Sequence, residues 1–421
     1  MLHFSIFMLI YKKMGKKFLL TLVLSFVLTN PLKVKAVEFI PMGHLEVLRA
    51  YSQIRHGSHL LGEDISGYYS PIVKFNSTLY LIPLYTIQFQ KVKQFLPEEE
   101  GNHLYNTYMV HNFTLSLRKE FQPGWFVKFS AIGTWNFVKE THEEAWGRGL
   151  YDYRDAGAGI DLRHKKTVED NKQDYTFGFR YYRRQYPNFS SLISLASPVP
   201  PERREKDFDG FKISTGFENL ASGGEEFYIK PYFLIKHFID RHLLKDDGTL
   251  NLNQHRQDEV FNLDCGFKLP LMERLFFYLD NNYAYNYSNA GFYDSRNTVI
   301  LADDVFTPHY YSYHSYAISP ALEYIYTLAE QKDVKVKLGY SFLDRYYTDR
   351  KSQTESGTYS NKEERDSEHC VSSSLAWPLT KKIDFLTKFS YTWSRSSQKY
   401  EQYYIYHYNI YEVEAGLSLD F

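Results

Sequence analysis

Ionised side chains spaced two apart, with apolar residues between them, are the chemically distinctive feature of this 421-residue chain. Lys335 and Lys337 interleave with Val336 and Leu338, and Lys230 and Lys236 lie beside Ile229 and Ile235. Arg180 and Arg184 share one such stretch; Lys212 and Lys268 stand between apolar neighbours on others. Carboxylates recur in the same way at Asp155, Asp161, Asp280, Glu323, Glu412 and Glu414. Alternation of period two puts the charges on one face of an extended strand and the apolar groups on the other. Such a face is too costly to bury in a two-sided core, but is stable where it lines water. If the strands close on themselves, a basic sector faces an acidic one across the interior. The resulting transverse field orients polar solutes and disfavours apolar ones. Tyr182, Tyr228, Tyr232 and Tyr278 fall on the same face and add flat rings.

Other chemistry is weakly encoded. There is no Gly-x-Ser-x-Gly, phosphate loop or His-Glu-x-x-His. His111, His237, His309 and His314 are the histidines a wall-mounted hydrolase would draw on, but none has a nucleophile or acid pair at a telling spacing. The run Thr141 to Glu144 and the acids Glu98 to Glu100 read as solvated loops. Cys265 and Cys370 fall on separate strands and opposite faces, so neither a disulfide nor a metal pair is expected. The spacing assigns no metal ligands and no cofactor. A formal charge of −1 and a pI near 7.0 give no case for nucleic acid as a partner.

The elements that must position these faces are long strands. Phe227, Ile229, Phe233 and Ile235 alternate with Tyr228, Lys230, Tyr232 and Lys236; Phe385, Phe389, Tyr391 and Trp393 alternate with Asp384, Lys388, Ser390 and Thr392. The links between strands differ in length. Short ones fall at residues 122–124, 222–224, 270–273, 330–333 and 379–382, with a somewhat longer one at 165–174. Long polar ones fall at 95–103, 141–149, 187–206, 243–257, 289–310 and 351–364. The pattern predicts about 14 strands, with short turns on one side and long loops on the other. Aromatic residues make up 18%, with 38 Tyr and 32 Phe, which suits a wall meeting lipid, headgroup and water in turn. A soluble sandwich or barrel would need shorter strands and more frequent turns.

The C-terminal residues complete the expectation. Tyr411, Val413, Leu417, Leu419 and Phe421 occupy alternate positions up to the end of the sequence, with Glu412, Glu414, Ser418 and Asp420 between them. This ending resembles the C-terminal signature of Gram-negative outer-membrane β-barrels, porin-like proteins among them; no particular functional family is matched. The resemblance implies an all-β fold: a closed antiparallel transmembrane barrel with short periplasmic turns and long extracellular loops. It also implies location in the bacterial outer membrane, contact with its lipids and lipopolysaccharide, and recognition of the terminal strand by the barrel-assembly machinery.

Residues 1–36 read as a signal peptide, with Lys16-Lys17, an apolar run from Phe18 to Leu28, and Val34 and Ala36 before the cut. Residues 37–76 alternate poorly and are expected to form an N-terminal extension or a plug, or else one more strand pair. Residues 77–421 form the barrel. The expected function is a pore for passive passage of hydrophilic small solutes. The alternatives are a structural or export barrel of a surface-polysaccharide assembly system and a barrel-wall hydrolase.

Overall fold

The computed structural model describes residues 37–54, 59–93, 105–139, 144–189, 204–294, 305–328, 332–401 and 406–421. The expected leader, Glu98 to Glu100, His142 and Glu143 lie outside the described residues.

Among the described residues all regular structure is β-strand. The strands are β1 (Glu38–Ile40), β2 (Gly43–Ile54), β3 (His59–Tyr69), β4 (Ile72–Asn76), β5 (Leu79–Lys93), β6 (Tyr105–Gln122), β7 (Trp125–Lys139), β8 (Tyr153–Val168), β9 (Asn171–Gln185) and β10 (Phe208–Leu220). There follow β11 (Glu226–Leu244), β12 (Leu250–Met272), β13 (Leu275–Ser288), β14 (Phe292–Asp294), β15 (Val305–Thr307), β16 (Tyr313–Leu328), β17 (Lys332–Gln353), β18 (Tyr359–Pro378), β19 (Ile383–Ser396) and β20 (Tyr408–Asp420). β2, β3, β5 to β13 and β16 to β20 form an antiparallel ring of 16 strands, closed where β20 returns to β2. At that seam Leu45 opposes Leu419 and Ile54 opposes Ile410. Gly43 and Phe421 exchange backbone hydrogen bonds of 2.8 and 3.0 Å. Closure leaves no strand edge to be satisfied by lipid, which cannot hydrogen-bond.

The ring has 16 strands against the expected count of about 14, and the added pair is the segment expected to be an extension or a plug. β2 and β3 stand in the wall. β1 and β4 continue them toward the terminal side in unchanged register, with Glu38 opposite Lys74 and Gly43 opposite Tyr69. Pro41 and Pro71 interrupt the assigned strands because proline has no N–H to donate. Alternation there is also blurred by Leu48 and Ala50, which are apolar, buried and on the inward face.

Two expected long loops are strand instead. β11 and β12 run on to a turn at residues 245–249, and β17 and β18 to one at 354–358. Gly248 (φ 77°) and Gly357 (φ 79°) supply the left-handed positions these turns need. The link expected at 165–174 is a tight turn, Glu169 and Asp170 both having positive φ, 49° and 66°. That is the type I′ pattern, whose twist matches the flanking strands.

Residues directly opposite in an antiparallel pair share a face. Lys128 opposes Asp161, Asp161 opposes Gly178, and the line continues through Ser214, Tyr232 and Asn262. The other set pairs Phe129 with Ile160, Leu162 with Phe177 and Phe385 with Leu417. This set is bare: Phe177 is 52% exposed, Leu338 57% and Leu417 48%. A lysine on the lipid face at mid-depth would cost about 2–4 kcal/mol, so the apolar set faces outward and the polar set surrounds the lumen. Near the extracellular end the outer set carries Tyr–His pairs, with hydroxyl-to-Nδ1 distances of 2.7 Å for Tyr85–His111, 2.8 Å for Tyr283–His314 and 2.7 Å for Tyr340–His369. Such amphipathic rings suit the boundary between acyl chains and headgroups.

Candidate functional site: the lumen wall

The predicted basic residues Arg180, Arg184, Lys212, Lys230, Lys236, Lys268, Lys335 and Lys337 all fall on the polar face. So do Asp155, Asp161, Asp280, Glu323, Glu412 and Glu414. The structure departs from the expected separation of charge into whole sectors, because many of these groups are neutralised by a neighbour. Arg184 grips Asp155 with Nε and Nη2 at 2.8 Å each, Lys128 reaches Asp161 at 2.8 Å, Lys230 reaches Glu218 at 2.6 Å, and Lys268 reaches Glu226 at 3.1 Å. Asp280 and Glu323 accept hydrogen bonds from Tyr228 (2.6 Å) and Tyr278 (2.9 Å). These tyrosines act first as partners for acids. Lys337 lies 4.9 Å from the Tyr278 ring centroid and opposes Glu323.

Two opposed patches keep a net charge. Arg180 and Lys212 stand directly opposite each other on β9 and β10. Among the described residues neither has a carboxylate within 4.0 Å; Lys212 lies 3.7 Å above the Tyr232 ring. Like charges directly opposite each other weaken a sheet, so this pair is not there for stability. Across the ring, Glu412 and Glu414 on β20 join Glu46 on β2 and Asp64 on β3. Among the described residues one cation serves them: Lys388 lies 2.6 Å from Glu46 and 4.0 Å from Glu414, while Ser52 donates to Glu412 at 2.9 Å. β10 and β20 lie eight strands apart in either direction around the 16-strand ring, which makes the patches diametrically opposed. Glu46 and Asp64 were missed in the sequence because their segment did not read as wall.

Glycines keep the basic side open. Gly157, Tyr182 and Gly210 are opposite one another on β8, β9 and β10. A Cβ on Gly157 would sit 2.6 Å from the Tyr182 Cβ, and one on Gly210 would sit 2.6 Å from the Tyr182 ring. The ring therefore lies flat along the wall, in space that any side chain would fill.

The connection from β13 to β16 seals a notch. Its described residues sit between the taller strands β12 and β17, with Asn289 N–H donating to Gln257 O and Thr348 N–H to Ser312 O, each at 3.2 Å. Arg256 stacks 3.9 Å from the Tyr311 ring, and Arg350 lies 4.7 Å from the Tyr310 ring. Arg256 is paired with Asp258, and Arg350 with Glu364, which is 1% exposed. Two adjacent tyrosines are thus clasped from opposite shoulders. Most of the other long loop, 187–206, lies outside the described residues.

His111 and His314 belong to the outward Tyr–His pairs, and His309 contacts the Ser288 carbonyl at 2.9 Å. Cys265 and Cys370 are free and lie on opposite faces. In the terminal strand Tyr411 stacks on Tyr391 at 4.5 Å and Phe421 on Tyr69 at 6.2 Å; Val413, Leu417 and Leu419 share their outward face.

No protein-family model matches the sequence, and no curated protein is similar to it. Among solved structures the chain is similar to OmpT, an outer membrane protein of Vibrio cholerae, at 10% identity and TM-score 0.43, covering 92% of this chain and 100% of that one. It is also similar to the outer membrane protein opdK of Pseudomonas aeruginosa (9%, TM-score 0.40, 91% and 99%). A third is a bacterial polysaccharide outer membrane secretin (8%, TM-score 0.42, 90% and 98%).

Proposed function

Because the chain is a bacterial outer-membrane β-barrel with a charged interior, we propose that it is a channel for passive passage of hydrophilic small solutes. The observation that carries this reading is the pair of opposed lumen patches: Arg180 and Lys212, with no carboxylate within 4.0 Å among the described residues, on one wall, and Glu46, Asp64, Glu412 and Glu414 around Lys388 on the other. A wall kept only for structure has no use for like charges set directly opposite each other, which weaken it. Charges facing water across a lumen act on whatever passes between them, aligning dipolar solutes and favouring those with separated charge. A ring of 16 strands is wide enough for a water-filled passage, unlike the eight-stranded barrels whose side chains meet at the axis.

The test is single-channel recording of the refolded protein in a planar bilayer. Discrete conductance steps are expected, together with faster uptake of small zwitterions than of apolar solutes of equal size in liposome swelling. A folded protein that inserts yet passes no current overturns the proposal.

A further inference from the structure

A recess opens in the lumen wall beside the tight periplasmic turn at Glu169 and Asp170. It has a volume of about 630 Å³ and is formed by the periplasmic ends of β8 to β11. A space of that size holds a small-molecule solute. By the alternation that turns Asp161 and Gly178 inward, Arg163, Lys165, Lys172 and Lys230 line it from the lumen face, together with Asp174, Glu218 and Glu226. Each acid already has a cation. Arg163 Nε donates to the two Asp174 oxygens at 2.7 and 2.8 Å, and Lys165 approaches the same carboxylate at 3.6 Å. Lys230 reaches Glu218 at 2.6 Å, and Glu226 is held at 3.1 Å by Lys268, which lies outside the recess lining. Among the described residues Lys172 has no carboxylate within 4.0 Å. Two positive charges are therefore left over, that of Lys172 and one of the pair sharing Asp174.

The surplus is concentrated. Lys165 opposes Asp174 and Thr167 opposes Lys172, which makes the two lysines diagonal neighbours on one face. Diagonal neighbours stand about 7–8 Å apart, close enough for two long side chains to meet at one anion. We propose that the recess binds a doubly charged oxyanion, the phosphate-monoester group of a small hydrophilic solute, with Lys165, Thr167 and Lys172 as donors. Such a group carries about −1.5 to −2 near neutral pH, which matches the surplus, whereas a carboxylate cancels half of it. Ammonium groups are compact charges with rotatable donors, suited to the tetrahedral oxygens at about 2.7–2.9 Å, and the recess arginine is already committed to Asp174. Lipid phosphate is not the occupant, because the donors face the lumen. Lys166, which alternation turns outward beside the Tyr175 ring at 5.3 Å, is the lysine that headgroups reach. This names a solute class for the channel proposed above and rests on that reading for its purpose. Passage needs such a site to hold its solute weakly, so that it both loads and leaves.

The test is a saturation-transfer NMR titration of detergent-folded protein in phosphate-free buffer at low salt, with glucose 6-phosphate, glucuronate and glucose as probes. Glucose 6-phosphate is expected to saturate with a Kd of about 1 mM, and glucuronate and glucose to bind at least about fivefold more weakly. Lys165→Gln/Lys172→Gln should weaken glucose 6-phosphate at least about tenfold. Lys381→Gln, in the periplasmic turn between β18 and β19, should leave its affinity unchanged. Folding of each variant is checked by its altered gel migration without boiling; where the double variant does not fold, Lys172→Gln alone replaces it, with a loss of at least about threefold expected. No saturation below about 20 mM, glucuronate or glucose binding as tightly as glucose 6-phosphate, or unchanged affinity in the folded lysine variant overturns the site. The binding readout does not depend on current. A protein that binds as expected but never conducts keeps the site and overturns only the channel.

Discussion

Reversing the basic patch gives the sharpest functional prediction. In Arg180→Glu/Lys212→Glu the lumen charge at one level changes by four units, two per substitution. For an ion path about 8 Å from the wall in water, each unit charge acts on a monovalent ion with about 0.5 kcal/mol. Screening at about 0.1 M salt roughly halves that. Four units then give about 1 kcal/mol, or roughly a fivefold change in local ion concentration, opposite in sign for cations and anions. The cation-to-anion permeability ratio should rise by about 25-fold, read as a reversal-potential shift under a salt gradient. Arg180→Gln/Lys212→Gln, a change of two units, should give about half the shift in free energy. Lys245→Glu, in the turn above the wall, should leave the ratio nearly unchanged. The field argument fails if the folded double variant conducts with wild-type selectivity, or if Lys245→Glu shifts it as much.

Asp155→Asn should destabilise the barrel by about 2–3 kcal/mol in urea unfolding, because it strands the largely covered Arg184 guanidinium. Adding Arg184→Met should recover much of the loss, and a double variant no better than the single would refute the ion-pair account. Gly43→Leu should lower the yield of refolded barrel, since a Cβ there would lie 2.2 Å from the Phe421 ring; Phe421→Ala should restore it. At Glu401, burial opposes ionisation. The His407 ring and the amides of Tyr406 and His407 outweigh it, holding the carboxyl below its usual range. A depressed folded-state pKa contributes stability that is present above the unfolded value of about 4.5 and is lost as pH falls through the folded one. Hydrogen exchange at the Tyr406 and His407 amides should therefore lose protection below about pH 4.5. Protection unchanged down to pH 3, or wild-type behaviour in Glu401→Gln, would refute it.

The wall was legible wherever lysine or arginine alternated with large apolar residues, as in Phe227 to Lys236, because lipid on one side and water on the other leave no other arrangement. The first hairpin was not. Leu48 and Ala50 break the alternation from inside, and Pro41 and Pro71 resemble strand ends although the register runs through them. The extended arms of β11–β12 and β17–β18 were read as loops because above the bilayer both faces meet water and the period-two signature fades. For the site, alternation offers a face for each charge but does not pair the charges. Whether Arg184 is neutralised while Arg180 is not depends on which residue of β8 stands opposite, Asp155 or Gly159, a fact of register. Glu46 and Asp64 needed the first hairpin in place before they could be counted.

The trio Gly157, Tyr182 and Gly210 has a consequence for how such a conduit changes over generations. Its calibre on that flank is set in part by Gly210, which contributes no side chain. One nucleotide change from glycine to alanine there would meet only the Tyr182 ring and lever it toward the axis, leaving the strand ladder intact, whereas at Gly157 an added Cβ would meet the β9 backbone. Permeability and foldability are thus encoded by different residues on the same three strands, and a lineage can retune one without endangering the other.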